Sequence, residues 1–214
     1  MKTLIQYISE AIKKLPRNIK GLIVFDIDDT LLKADSSTVK IYKKEPGKKE
    51  IALTTEEFAK DPDTADESKR SWYDYRDFRD PDKVYKSIIQ GTPLIRNLRI
   101  MDSYLDAGYK FCFLTARSCE DVVKDALSEF LKMKTSDGQL KELGEIFDHA
   151  MSHAVNDATK YYKGTTDADK KANILTELCS KYDRVVFVDD DKKNVRAAKG
   201  LKLPNLKVIK AWEE

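Results

Sequence analysis

The stretch GLIVFDIDDT at residues 21–30 decides the reading of this chain. An apolar run, Gly21 to Phe25, stops at Asp26, and Asp28 and Asp29 follow at once. A short apolar run without alternation predicts a strand buried on both faces, the kind found in parallel sheets. Carboxylates directly after it fall at the C-terminal end of the strand, the edge where open α/β sheets carry their chemistry. The pattern recurs where Val185, Val186, Phe187 and Val188 lead into Asp189, Asp190 and Asp191. If the two strands lie side by side, several negative charges come within a few ångströms, and a divalent cation relieves the repulsion. Oxygen donors select a hard cation, and magnesium is the expected one.

Between and around these strands, apolar periodicity predicts the remaining elements. Residues 3–15 read as an amphipathic helix ending before Pro16, either packed on the core or serving as a docking tag. Residues 38–53 read as a β-hairpin turning at Pro46-Gly47, and the polar segment 60–71 as loop. Trp72, Tyr73, Tyr75 and Phe78 form either a small packed nucleus or a substrate-facing surface, with packing favoured. Thr92-Pro93 reads as the N-cap and first position of a helix whose core face is Leu94, Leu98, Met101 and Leu105, ending at Gly108. A second strand follows at 109–114, then Thr115-Ala116-Arg117, with Ser118 as the cap of the next helix. A short strand near 146–151, helices over 171–181 and 194–199, and a last strand over 206–211 complete the pattern.

The layout implies a doubly wound, Rossmann-like three-layer α/β sandwich with a small cap inserted after the first strand. Its parts are an N-terminal helix at 1–20, a core at 21–32 and 92–214, and the insertion at 33–91. A chain of 214 residues with 41% apolar content suffices for one such core. With 39 Lys plus Arg against 37 Asp plus Glu, the net charge of +2 gives no global pull toward nucleic acid or membrane. No apolar stretch reaches the length of a membrane span, and residues 1–20 lack the pattern of a secretory signal, so a cytoplasmic protein is expected. Cys112, Cys119 and Cys179 show no paired spacing and read as reduced. His149 and His153 stand four apart, but no third His accompanies them, so zinc is not the expected metal.

FDIDDT at 25–30, FLTAR at 113–117, KANIL at 171–175 and VVFVDDDKKN at 185–194 resemble, in order and spacing, the four motifs of the haloacid dehalogenase superfamily, in its aspartate-nucleophile phosphatase branch. The layout is also similar to small phosphatase-like proteins of large bacteriophages, which would place the chain in a host cytoplasm or a virion. The resemblance covers about 21–32 and 92–211. It implies a magnesium-dependent phosphatase with Asp26 as nucleophile, carrying an aspartyl-phosphate, and Asp28 as general acid and then base. It further implies Thr115 as donor to a phosphate oxygen and Lys171, ahead of Lys170 or Lys163, as the positive charge beside Asp26. Asp26, Asp189 and Asp190 would hold the cation, joined by the Asp28 backbone carbonyl, with Asn194 bracing the metal loop. Asp29 stands where relatives often have Gly and takes a loop role. Arg117 is either a structural salt bridge or part of the site.

Phosphoryl transfer needs an in-line nucleophile, neutralised phosphate oxygens and a proton for the leaving group, and these residue types supply each. The substrate expected is a phosphorylated small molecule or nucleotide, or a 3′ or 5′ phosphate on nucleic acid; Lys40, Lys43, Lys44, Lys48 and Lys49 of the hairpin read either as a solvated surface, the favoured reading, or as a patch that draws such a polyanion. Transfer to an acceptor other than water, and a non-catalytic phage structural or binding protein on the same fold, are the alternatives.

Overall fold

Leu22, Ile23, Val24 and Phe25 are all wholly buried, yet they belong to two different cores. That division fixes the architecture. In this computed structural model, which describes residues 20–35, 37–134, 151–157 and 160–212, the chain begins with strand β1 (Gly21–Phe25). The insertion then contributes β2 (Leu32–Lys33), β3 (Ile41–Lys43), β4 (Ile51–Leu53), helix α1 (Thr55–Lys60), β5 (Tyr73–Asp74), α2 (Pro81–Ile89) and β6 (Thr92–Pro93). Thereafter come α3 (Ile95–Leu105), β7 (Lys110–Thr115), α4 (Glu120–Lys134), β8 (Met151–Ala154), α5 (Asp167–Lys181), β9 (Arg184–Asp189), α6 (Lys192–Gly200) and β10 (Leu206–Lys210). The helix expected over 3–15, His149 and the 146–150 part of the expected third strand lie outside the described residues.

Five parallel strands form the main sheet in the order β10-β9-β1-β7-β8. Side chains alternate across a strand, so Ile23, Phe25, Phe111, Phe113, Val186 and Val188 point to one face, and Leu22, Val24, Cys112, Leu114, Val185 and Phe187 to the other. The first face is covered by α2, α3 and α4 through Val84, Ile88, Leu98, Met101, Leu127 and Phe130. The second is covered by α5 through Ile174, Leu175 and Leu178, and by α6 through Ala198. The result is an α/β fold of three layers, as the apolar runs predicted. Strand order reverses between β1 and β9, and such a switch point opens a crevice at the carboxyl ends of the strands.

The insertion differs from expectation in several places. Thr92-Pro93 does not open a helix: it pairs antiparallel with Leu32–Lys33, and α3 begins only at Ile95 after Leu94. That short ladder closes the neck of the insertion. Ser118 does not cap α4, because its hydroxyl donates to the Asn156 carbonyl while the Glu120 amide donates to Asp157. Among the described residues the third strand covers Met151–Ala154, so it ends later than expected. Residues 62–65 and 67–72 are 3-10 turns, not loop, capped by Asp61 and Asp66, whose carboxylates accept from the Asp63 and Ser68 amides. Helix α2, which the apolar pattern did not reveal, buries Val84 and Ile88 in the main core, so the last part of 33–91 packs with the core.

The hairpin forms as expected, with Ile41 opposite Leu53 and Gly47 at φ +74 in its turn, and β5 adds a third strand. The aromatic residues pack together: Phe58 meets Tyr73 and Tyr75 edge-on, and Tyr75 meets Phe78. Lys43 is not a surface charge. It is buried beneath this nucleus and bonded to Asp61 (2.7 Å) and Asp63 (2.6 Å), and Lys48 pairs with Glu45. The basic hairpin face is therefore smaller than the sequence suggested.

Truncating Phe113, wholly buried in the first core, should cost about 3–5 kcal/mol of unfolding free energy in Phe113→Ala. Ile51→Ala, at a side chain half exposed, should stay within about 0.5 kcal/mol. Urea titrations of the two variants measure the difference.

Candidate active site

Register and parity build the site. The pairing of β1 with β9 ends at Phe25 opposite Val188, and the Asp26 amide still donates to the Val188 carbonyl at 3.0 Å. One step further along both strands, Asp26 stands beside Asp189. Asp26 continues the parity of Leu22 and Val24, and Asp189 that of Val185 and Phe187, so both carboxylates turn toward the face covered by α5. On α5 the buried residues are Lys171, Ile174, Leu175 and Leu178, one stripe at helical spacing. The stripe carries Lys171 to the two carboxylates: its Nζ donates to Asp26 Oδ1 at 2.7 Å and to Asp189 Oδ2 at 2.8 Å. Lys170, one residue earlier, points elsewhere and donates to the Asn156 amide oxygen.

The carboxylates are held from behind. Asn194 donates its side-chain amide to both oxygens of Asp189 (3.1 and 3.0 Å), and the Asp191 amide adds a third bond at 2.9 Å. Thr30, wholly buried, donates its hydroxyl to Asp190 Oδ1 and accepts from the Asp190 amide, both at 3.1 Å. Sequence reading had assigned Thr30 no role, although it is the last residue of the FDIDDT motif. The turn itself needs a left-handed residue: Asp29 has φ +53, a conformation Asp tolerates better than most and Gly better still.

Among the described residues, Asp26, Asp189 and Asp190 form a group of carboxylates with ligand oxygens within 4.8 Å of one another. Three potential negative charges face one ammonium. Burial, reinforced by Asp189, Asp28 and Asp190, pushes the Asp26 carboxyl well above its ordinary range in spite of Lys171. Burial likewise raises Asp190 to about 7, with Asp189 and Asp29 adding to it. Burial alone would lower the Lys171 ammonium, but the charges of Asp26 and Asp189 overcome it and hold it above its usual value. The surplus of negative charge must be met by protons or by a cation. Three carboxylate oxygens with no nitrogen or sulfur donor fit a hard dication.

Asp28 lies outside that group. Its carboxylate accepts two bonds from Arg117, Nε at 2.8 Å and a terminal nitrogen at 2.7 Å. Arg117 is buried and follows Thr115, whose hydroxyl accepts from the Arg117 amide. Among the expected residues the fold thus gathers Asp26, Asp28, Thr115, Lys171, Asp189, Asp190 and Asn194 at the carboxyl ends of β1, β7 and β9. His153 is elsewhere, with Nδ1 3.4 Å from the Tyr162 hydroxyl, and burial lowers its pKa. It lines a recess of about 670 Å³ at the opposite, N-terminal edge of the sheet, beside Gly21 and Lys110, away from the acidic cluster. No family model matches the chain, and no curated protein matches it.

The raised Asp190 has a definite sign for stability. Its folded value lies above the ordinary value of 3.8, so the folded chain binds the proton more tightly and this group's contribution is lost as pH rises from about 4 to about 7. In chelator, melting curves should show Asp190→Asn gaining on the wild type across that window. Adding a divalent cation at pH 7.5 should raise the melting temperature of the wild type but not of Asp189→Asn. Lys171→Met should cost about 3–5 kcal/mol in chelator, because it leaves buried carboxylates unpaired, and the loss should shrink when the cation is added.

Proposed function

We propose that the chain is a magnesium-dependent phosphomonoesterase of the haloacid dehalogenase kind, acting through an aspartyl-phosphate on Asp26. The observation that carries this reading is the Lys171 ammonium shared between Asp26 and Asp189 at the switch point of the sheet. A buried carboxylate with a fixed cation beside it is arranged to meet a second anion, which is the difficulty in attacking a phosphate.

In the first step an Asp26 oxygen attacks phosphorus in line, and the bond from phosphorus to the leaving oxygen breaks. Asp28 gives that oxygen a proton. In the second, water attacks the phosphorus of the aspartyl-phosphate, Asp28 accepts the water proton, and Asp26 is released as carboxylate with inorganic phosphate. Lys171 holds Asp26 in place and offsets the charge of the incoming phosphate, and the Thr115 hydroxyl stands at the adjoining strand end to donate to a phosphate oxygen. Asp26, Asp189 and Asp190 would hold magnesium together with the Asp28 carbonyl, and when bound it supplies positive charge to the phosphate oxygens.

The substrate class follows from the chemistry as a phosphate monoester, on a small metabolite, a nucleotide or a nucleic-acid end. With Lys43 buried and Lys48 paired to Glu45, the hairpin gives little support to a polyanion, and small phosphate esters are the better expectation. No helix among the described residues is long and apolar enough to cross a membrane.

Purified protein should hydrolyse an aryl phosphate in magnesium, lose that activity in chelator, and be suppressed by calcium, whose looser coordination misplaces the nucleophile. Asp26→Asn should lower turnover on the order of a thousandfold or more, and Lys171→Ala about a hundredfold, with Lys170→Ala nearly silent. Full turnover in excess chelator, or in Asp26→Asn, would reject the reading.

A further inference from the structure

We infer that Arg117 is a positioning residue for this reaction, fixing the Asp28 carboxylate over the cleft and anchoring it to helix α2 at the foot of the insertion. The inference rests on the proposed role of Asp28 as proton donor. Arg117 is 1% exposed, and its guanidinium uses all three nitrogens. Nε and one terminal nitrogen take the two oxygens of Asp28, while the other terminal nitrogen reaches Ser87 Oγ at 2.8 Å and the Val84 carbonyl at 3.4 Å. Ser87 is itself wholly buried and donates its hydroxyl to the Val84 carbonyl at 2.8 Å, so its lone pair is aimed back at Arg117.

The result is a rigid chain of contacts from a carboxylate about a third exposed to a helix packed in the core. A planar fork with both arms on one carboxylate fixes the plane of that carboxylate as well as its position, which an ammonium cannot do. The turn that carries Asp28 does not by itself set the side-chain torsions, since an Asp carboxylate has several staggered rotamers open to it. Arg117 removes that freedom. Because its third contact lies on α2, the orientation of Asp28 is also tied to the segment through which the insertion joins the core. Lys83 on the same helix pairs with Asp77 of the insertion, and the Lys40 amide donates to Asp77 as well.

A residue that acts only by placing the proton donor should matter in proportion to the need for the proton. With an alkyl phosphate, whose leaving oxygen requires protonation, Arg117→Ala should lower kcat/KM by about a hundredfold, the cost expected of misplacing a catalytic group by about an ångström. With a nitrophenyl phosphate, which leaves without help, the loss in kcat/KM should be less than about fivefold. In an Asp28→Asn background the alkyl phosphate loss should disappear, because there is no donor left to place. Arg117→Lys and Ser87→Ala should show smaller losses with the same preference for the alkyl ester, and they decide the matter if Arg117→Ala does not give the wild-type circular dichroism spectrum and a single melting transition. Losses equal for the two esters, or additive with Asp28→Asn, would make Arg117 a structural salt bridge and overturn the inference while leaving the phosphatase reading in place. A wild type that hydrolyses neither ester would overturn both.

Discussion

Lys171 is a buried ammonium whose nearest neighbours are two carboxylates from different strands, and much of the molecule is arranged so that these three groups can meet. A charge in that position is tolerable only if it is paired, since moving it alone out of water costs several kcal/mol. Pairing in turn requires β1 and β9 to be adjacent, in register to their last residue, with Asp26 and Asp189 on the same side. It also requires α5 to present its stripe with Lys171 at the strand ends and Ile174, Leu175 and Leu178 further down the same face. Slipping either strand by one residue would send a carboxylate to the other face of the sheet and leave the ammonium half paired.

The two faces of the sheet carry different parts of the site. Asp26, Asp189 and Lys171 belong to the layer formed by α5 and α6, where charge is concentrated. Arg117 and its partners Ser87 and Val84 belong to the layer of α2, α3 and α4. Asp28 lies between, because the chain turns out of β1 after Asp26. One carboxylate held by one layer and a second held by the other is a direct consequence of parallel strands buried on both sides.

Charge is also managed within the insertion, in a way that limits what it can attract. Lys43 with Asp61 and Asp63, Lys69 with Asp63, Arg76 with Glu50 and Asp74, and Lys83 with Asp77 neutralise one another. Together with the contacts of Phe58 with Tyr73 and Tyr75, these pairs give a small unit a substitute for a large apolar core. Of the lysines that look like a patch in the sequence, Lys43 and Lys48 are committed to nearby acids.

By itself the sequence determined the alternation of apolar strands and amphipathic helices, the Asp clusters at two strand ends, and the hairpin with its Pro-Gly turn. These were legible because each depends on local periodicity: a run buried on both faces, a helical stripe, a turn residue. Tertiary structure alone decided what depends on partners far along the chain. Thr92-Pro93 became a strand because Leu32–Lys33 offered a ladder, and Lys43 became buried because Asp61 and Asp63 closed over it. Arg117 found Asp28 eighty-nine residues away and Ser87 thirty away, a three-way contact that no spacing in the sequence encodes. Local pattern sets the direction a side chain takes from its own backbone, whereas its charge is satisfied only by whatever the fold brings within about 3 Å of it.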